Sequence, residues 1–503
     1  MKKYEEVMQR IINLIRLGSL KKNDRLPSIR SMARQMNIST MTVWEGYIRL
    51  EKLGLIQSRP RSGFYVTAEK LPGRGSTNKQ VLETRNPKKE RVSSQVSLPV
   101  KPEVVPECVQ QFAPHFMKNV PFPLGDSSPN PAFFPNKALS RRLARVANNY
   151  ANIINSYAID TDSEELVEMI LKLMNKWDAV AQKNEILIIN GGTQALMLAL
   201  RILTRPGDLV AVESPGYPGF YYLLNFFGLK TLEIPSDPQS GLDVDRLVSV
   251  LKKGTRPACL LLSPNFSVPT GALMPEHKKE LLTQVCLRYK LPVIEDDTFG
   301  ELYFGSSRPM PLKAFMPANV FYVGSFSKIL TPGFRVAWLA AGPYAEEAER
   351  IILRITPLVV QLTVASFLQD GGMRRHLHRL RIQYKDNICN FRNSISRYFP
   401  EGTHITDPQG GQFLWVELPR EFDTGQLFPL AKKLGMSFNP GIQFSASDSS
   451  YRNCMGLNCS TIKWNEEVDK VLHDFGQVLV GGAGLQNKIL PCEAQSEIGV
   501  NIG

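Results

Sequence analysis

Residues 324–335 read GSFSKILTPGFR and follow directly on the apolar run Val320-Phe321-Tyr322-Val323. A lysine just past a buried strand, with Ser325 and Ser327 before it and Arg335 after it, is a costly arrangement for a core position. It suits a Schiff-base amine. Desolvation disfavours the ammonium form and makes Lys328 a nucleophile toward an aldehyde, while Ser325 and Arg335 hold an anionic group nearby. A lone lysine after a strand is ordinarily a surface residue whose charged head snorkels to water, so the decision rests on the surrounding segments. Short apolar runs at 186–189, 209–212, 231–234, 259–262, 293–295, 320–323 and 336–340 alternate with helical stretches from about residue 122. Such alternation predicts an α/β fold: an open, mainly parallel sheet with helices on both faces. A smaller α+β part is expected to begin at 410–416, GGQFLWV, after a helical stretch from about residue 345.

Three other strand ends carry matching chemistry. Asn190-Gly191-Gly192-Thr193-Gln194 lies between a strand and a helix, where small residues expose backbone N–H groups to a phosphate at a helix N-terminus. Glu213-Ser214-Pro215-Gly216-Tyr217 follows the next strand and lifts Tyr217 over the same crevice, where an aromatic face stacks on a planar ring. Glu295-Asp296-Asp297 ends a third strand. A carboxylate at that edge of the sheet pairs with a protonated pyridine nitrogen, and it serves equally as a helix cap or half of a metal-binding pair.

In this order and at these strand ends, the segments resemble the fold type I aminotransferases, the pyridoxal phosphate enzymes related to aspartate aminotransferase, over about residues 122–475. The resemblance implies pyridoxal 5'-phosphate as cofactor, bonded to Lys328. It places Asp296 on the ring nitrogen, Tyr217 over the ring, and Gly192, Thr193, Ser325 and Arg335 on the phosphate. Tyr157, in INSYAID, matches a tyrosine that such enzymes lend across a dimer interface to the partner's phosphate, and no metal is implied. Three positions depart from the pattern. The family's Asn-Pro-Thr-Gly turn is Val268-Pro269-Thr270-Gly271, the tyrosine expected three residues after the aspartate is Phe299, and the arginine that clamps an α-carboxylate falls on Gly456. The 3-oxygen of the cofactor thereby loses its usual donors and an amino acid its guanidinium, although Arg452 stands nearby in sequence as a substitute. A ligand without an α-carboxylate, such as an amine or a vitamin B6 species, is the better expected fit.

Charge divides the chain in a second way. Residues 1–100 hold 20 Lys and Arg against 8 Asp and Glu, whereas the rest of the 503 residues hold 40 against 39. A basic N-terminal fifth on a neutral body is the footprint of a nucleic-acid-binding module carried by a larger domain. Val7, Met8, Ile11, Ile12 and Ile15 mark one helical face over residues 4–17. Ser28 caps a second short helix, and after Asn37-Ile38-Ser39 a third runs from about Thr40 to Leu53 with Val43, Tyr47, Leu50 and Leu53 buried. Two strands flanking Arg59-Pro60-Arg61-Ser62 complete a wing with a basic tip. Residues 4–66 resemble the winged helix of GntR-type bacterial repressors through LPSIRSMARQMNISTMTV and RSGFYV. That resemblance implies DNA contacts by Arg30, Ser39, Thr40, Met41, Thr42, Arg59 and Gly63.

A winged helix (1–70), a Pro- and Lys-containing linker (71–110), an aminotransferase-like domain (111–480) and a tail (481–503) together resemble the plan of the MocR-like regulators. Seven cysteines without a CxxC pair point to a reducing compartment. No apolar run is long enough to span a membrane, so a cytoplasmic location is expected, and the resemblance to aminotransferases, whose cofactor pocket is completed across an interface, implies a homodimer. Three functions are compatible with the residues. The leading one is a regulator whose large domain binds the cofactor and senses a small molecule. The others are a working aminotransferase with a DNA-binding appendage and a regulator that has lost the cofactor.

Overall fold

The computed structural model describes residues 3–16, 20, 22–36, 38–59, 63–67, 120–154, 162–352, 356–446 and 450–482. The expected linker, the wing tip 60–62, Tyr157 and most of the expected tail lie outside these residues.

At the N-terminus, α1 (Lys3–Arg16), α2 (Ile29–Gln35) and α3 (Thr40–Lys52) precede an antiparallel hairpin of β1 (Ile56–Arg59) and β2 (Gly63–Val66). The two short helices start where the sequence supplies caps. Ser28 Oγ accepts from the Ser31 N–H and Ser39 Oγ from the Thr42 N–H, each at 3.1 Å, which satisfies a donor that the first turn would leave bare. Val7, Ile11, Met32, Val43, Tyr47, Leu50, Ile56 and Val66 form the core. Arg10 pairs with Glu280, and the Ser31 hydroxyl donates to Asp178, so this module is seated on the large domain.

After β3 (Phe122–Pro123), β4 (Ile186–Asn190), β5 (Leu209–Ser214), β6 (Lys230–Asp237), β7 (Gly241–Leu242), β8 (Cys259–Leu262), β9 (Val293–Asp296), β10 (Val320–Ser325) and β11 (Val336–Ala340) form one eight-stranded sheet. Its order is β4-β11-β10-β9-β8-β5-β6-β7, and β10, β9, β8, β5 and β6 run parallel. The sheet is mixed, because β11 is antiparallel to both neighbours. Both faces are buried. Ile186, Ile188, Ala211, Leu260, Val293, Tyr322 and Trp338 belong to one apolar core. Leu187, Ile189, Val210, Val212, Leu261, Ile294, Phe321 and Leu339 belong to the other, as the two-residue repeat of a strand requires when both sides are covered.

The smaller part holds an antiparallel sheet ordered β12 (His404–Ile405), β13 (Phe413–Glu417), β16 (Cys454–Asn458), β15 (Asn439–Pro440). β14 (Met436–Ser437) pairs in parallel with β3. Beyond β3 the chain crosses the small sheet as a strap. The Asn458 N–H donates to Leu124 O, and Asn458 Nδ2 donates to Asp126 O, both at 2.7 Å. The helix Glu466–Gly482 reaches two residues into the expected tail.

Candidate cofactor site and DNA interface

Five carboxyl-edge positions of the large sheet converge on one crevice. At the end of β4 the chain turns through Gly191, at φ 88°, into the helix Gly192–Leu203. A Cβ on Gly191 would stand 2.1 Å from Arg335 Nη2, so the guanidinium lies directly against the glycine, where any side chain would expel it. Arg335 itself has φ 55°. Ser325 and Ser327 are buried beside it. The Ser327 N–H donates to Ser325 Oγ at 3.1 Å, and Arg335 Nη1 reaches Ser327 Oγ at 3.5 Å. A helix N-terminus, a guanidinium and two hydroxyls around a turn that tolerates no Cβ form an anion cradle, and the phosphate of pyridoxal phosphate fits that donor set. Gly192, Ser325 and Arg335 are thus brought together, with Thr193 exposed on the first turn of the helix. Ser327 is a member of the cradle that sequence reasoning missed, although it stands in the same GSFSK stretch.

The ring end is built by Asp296, Tyr217 and Lys328. Asp296 is 8% exposed, and Thr298 donates to its Oδ1 from both N–H (3.1 Å) and Oγ1 (2.5 Å). Burial holds its carboxyl above the usual range, against the pull of Thr298 and of nearby Lys328. A cation placed here, such as a pyridinium, would be paired in a dry environment. Burial likewise raises the Tyr217 phenol, which lies in the fields of Asp296 and Arg335. Lys328 Nζ donates to Ser127 O at 2.5 Å, linking the lysine to the strap that crosses the small sheet.

Behind Asp296 lies a buried charged layer that the sequence did not reveal. Asp297 is taken up by neighbouring side chains. It accepts from Asn265 Nδ2 at 2.9 Å and Tyr322 OH at 2.8 Å and pairs with Arg308, whose guanidinium stacks 3.9 Å from the Trp177 ring. Lys279 Nζ donates to Asn265 Oδ1 and to Met310 O, each at 2.6 Å. Glu295 accepts from the N–H groups of Leu312 at 2.6 Å and Lys313 at 2.8 Å, and burial, with Asp297 beside it, pushes its carboxyl well above the usual range. At the end of β5, Glu213 accepts from the Ser263 N–H at 2.9 Å, and burial raises it to about 7.

The far end of the crevice is apolar. Val268 and Phe299 are buried, and Phe299 meets Phe413 edge-on at 6.1 Å. A Cβ on Gly456 would stand 2.7 Å from Phe444 Cζ and 3.5 Å from Pro269 Cβ. The ring therefore occupies the space into which a side chain at this position would extend. Trp415 packs edge-on against Phe444 at 5.1 Å and against Tyr451 at 5.9 Å, and Tyr451 OH lies 3.4 Å from Ser214 Oγ. Arg452 does not replace the missing clamp. Its side chain is 60% exposed and pairs with Asp423 at 3.5 Å, because the residue sits on the outer side of the turn before β16.

On the winged helix, Arg30, Ser39, Thr40, Met41, Arg59 and Gly63 are exposed and Thr42 is half-buried. Arg59 donates to Asn23 Oδ1 at 3.2 Å and lies over the Tyr65 ring at 4.2 Å. Arg25, which sequence reasoning passed over, lies against Gly63, with Nε 3.3 Å from where a Cβ would stand.

Fold and site define a pyridoxal phosphate domain of aminotransferase type joined to a winged helix. Two family models match the chain. Bacterial regulatory proteins of the gntR family match residues 3–66, and aminotransferase class I and II matches residues 130–463. The chain is 30% identical over 483 residues to the uncharacterised HTH-type transcriptional regulator YjiR of Escherichia coli, covering 95% of this chain and 99% of that one. It is 32% identical over 362 residues to a 2-aminoadipate transaminase of Thermus thermophilus, covering 70% and 88% respectively. The solved structure of LysN, the α-aminoadipate aminotransferase of Thermus thermophilus, complexed with N-(5'-phosphopyridoxyl)-L-leucine, matches with a TM-score of 0.69 at 29% identity, covering 75% of this chain and 95% of LysN. The chain belongs to the MocR-type regulators of the GntR family, in which a DNA-binding winged helix is joined to an aminotransferase class I and II domain, and its cofactor is pyridoxal phosphate. Among the described residues, no helix is long and apolar enough to cross a membrane.

Proposed function

We propose that this regulator works as a homodimer, answers to an amine or vitamin B6-type molecule at Lys328, and turns over ordinary α-amino acids poorly. The observation that carries the reading is Gly456, where Phe444 fills the space in front of the backbone and the nearby basic residue Arg452 is turned outward to Asp423. An α-carboxylate brought there would lose water and gain no cation from position 456 or from Arg452.

When bound, pyridoxal phosphate supplies an electrophilic aldehyde carbon and a near-visible chromophore. Lys328 is the residue to hold it covalently, with Asp296 on the ring nitrogen and Tyr217 over the ring. Gly192, Thr193, Ser325 and Arg335 hold the phosphate, and Ser327 supports Arg335. Were an incoming ammonium to take the place of Lys328 and pass its extra proton to it, the released Lys328 Nζ would have an acceptor in Ser127 O, on the strap fixed to the small sheet by Asn458. Effector chemistry and the position of the small part are thereby connected.

The test follows the near-visible spectrum of the full chain while primary amines, vitamin B6 species and α-amino acids are added, with DNA affinity measured in parallel. Amines should shift the spectrum and amino acids should react slowly. Rapid multiple turnover of any common amino acid would make the chain an aminotransferase with a DNA-binding appendage. Duplex binding should weaken steeply with salt, since a module of this charge displaces several counterions. Arg30→Ala or Arg59→Ala should cost about 1–3 kcal/mol, and light scattering should report two copies.

A further inference from the structure

The outward face of α3 is poor in groups that could hydrogen-bond a base edge. The hydroxyls of its cap residue Ser39 and of Thr42 are engaged with each other. Ser39 Oγ caps the Thr42 N–H at 3.1 Å and lies 2.8 Å from Thr42 Oγ1. One turn on, Glu45 pairs with Arg49 at 2.7 Å, and Arg49 stacks 4.0 Å from the Tyr4 ring. Val43, Gly46, Tyr47 and Leu50 face the core. The side chains left pointing outward on the first two turns include Thr40, Met41 and Trp44, with Met41 68% and Trp44 46% exposed.

Two large apolar side chains facing water contribute little to folding, because the core of this module closes without them. They lie where the second helix of a helix-turn-helix enters the major groove. Arg30 and Arg59, both exposed, supply the cations that hold a phosphate backbone in register. Within that groove the thymine C5 methyl is the apolar group of the base-edge code, and apolar side chains and the threonine methyl contact it.

We propose that α3 reads its operator mainly through thymine methyl groups, contacted by Met41 and Trp44 with Thr40 beside them. The proposal rests on residues 3–66 being the DNA-binding module. It assigns base preference chiefly to Met41, which has no hydrogen-bonding group to match a base edge beyond a weakly accepting sulfur, and to Trp44, whose indole N–H is a donor alone, with the Thr40 hydroxyl the one two-way polar group among the three.

The experiment selects duplexes from a randomised pool with the full chain and then replaces thymines in a selected site by deoxyuridine one at a time, which deletes only the methyl group. The selected sites should share thymines, and deoxyuridine at those positions should weaken wild-type binding about fourfold per methyl contact. Met41→Ala and Trp44→Ala, both surface changes, should bind more weakly and each lose sensitivity at a different thymine. Arg30→Ala should bind more weakly yet keep the full methyl effect. Specific binding that is indifferent to deoxyuridine at every thymine overturns the proposal and leaves the DNA-binding module intact. So does a methyl effect unchanged in both apolar variants. Failure to bind any duplex even at low salt overturns both.

Discussion

At one end of the crevice a guanidinium lies against a glycine, and at the other a phenyl ring does. Arg335 occupies the space in front of Gly191, where a Cβ would stand 2.1 Å away, and Phe444 occupies the space in front of Gly456, where a Cβ would stand 2.7 Å away. Both glycines admit a close neighbour, but the neighbours differ in kind. The first end gathers a helix N-terminus, hydroxyls and a cation, the materials that hold a phosphate. The second gathers Val268, Phe299, Phe413, Phe444 and Trp415, which offer an amino acid's carboxylate nothing. Holding a cofactor and processing a substrate are separable properties of this fold. Here one end of the crevice presents polar and charged groups and the other presents apolar ones.

The largest effect that could break this contrast is at Lys328. Lys328→Ala should abolish the near-visible band and leave the circular dichroism of the chain unchanged. A borohydride-reduced adduct mapped to any other lysine would remove the cofactor end from the comparison. Arg335→Ala should weaken cofactor binding by about 1.5–3 kcal/mol, the usual worth of a hydrogen bond to a charged group. Gly191→Ala should do nearly as much with Arg335 still present, because the methyl takes the guanidinium's place at a positive φ. Unchanged affinity in Gly191→Ala, measured by equilibrium dialysis, would mean that the guanidinium is not used.

A smaller effect sharpens the other end. Gly456→Arg alone should gain little, since the ring of Phe444 stands in the way. Combined with Phe444→Ala it should speed the reaction of α-amino acids by roughly tenfold, a gain of about 1.4 kcal/mol, and leave simple amines unaffected. Losing a buried phenyl ring costs about 3–5 kcal/mol, so the rates are compared on material shown to be folded.

Glu213 marks the seam between the two ends, and its effect is the least. Burial raises its carboxyl from 4.5 to about 7, so the folded chain holds this proton more tightly than the unfolded one. Its contribution to stability is present below about pH 4.5 and is lost as pH rises toward 7. Glu213→Gln should flatten the pH dependence of the unfolding midpoint over that window and raise the midpoint by about 2–4 °C at pH 8. An equally steep profile in the variant would assign the proton to another group.

Strands were legible because both sheet faces are covered, so that runs such as CLLL at β8 and VFYV in β10 are apolar throughout. The direction of β11 was not, because an apolar run carries no sign and the reversal depends on how residues 326–335 fold back beside β10. The residues that gather at the crevice, Gly192, Tyr217, Asp296, Ser325 and Lys328, were legible from their positions at strand ends. The layer around Asp297 was not, since its partners Asn265, Lys279, Arg308 and Tyr322 come from four separate places in the chain and meet only in three dimensions. That position 456 offers no side chain could be read from one residue. What fills the space in front of it could not, because Phe444 lies on a different segment and only packing brings it there.

The charged layer behind β9 has an evolutionary consequence. Arg308 and Asp297 are nearly or wholly withdrawn from solvent, and deleting one partner of such a pair strands the other charge at a cost of about 3–5 kcal/mol. Selection against misfolding therefore guards Asp297 whether or not any reaction takes place next door, and Asp296 inherits its position from the same strand end. A lineage can abandon turnover and leave this half of the pocket in register, available for a second use as a receptor.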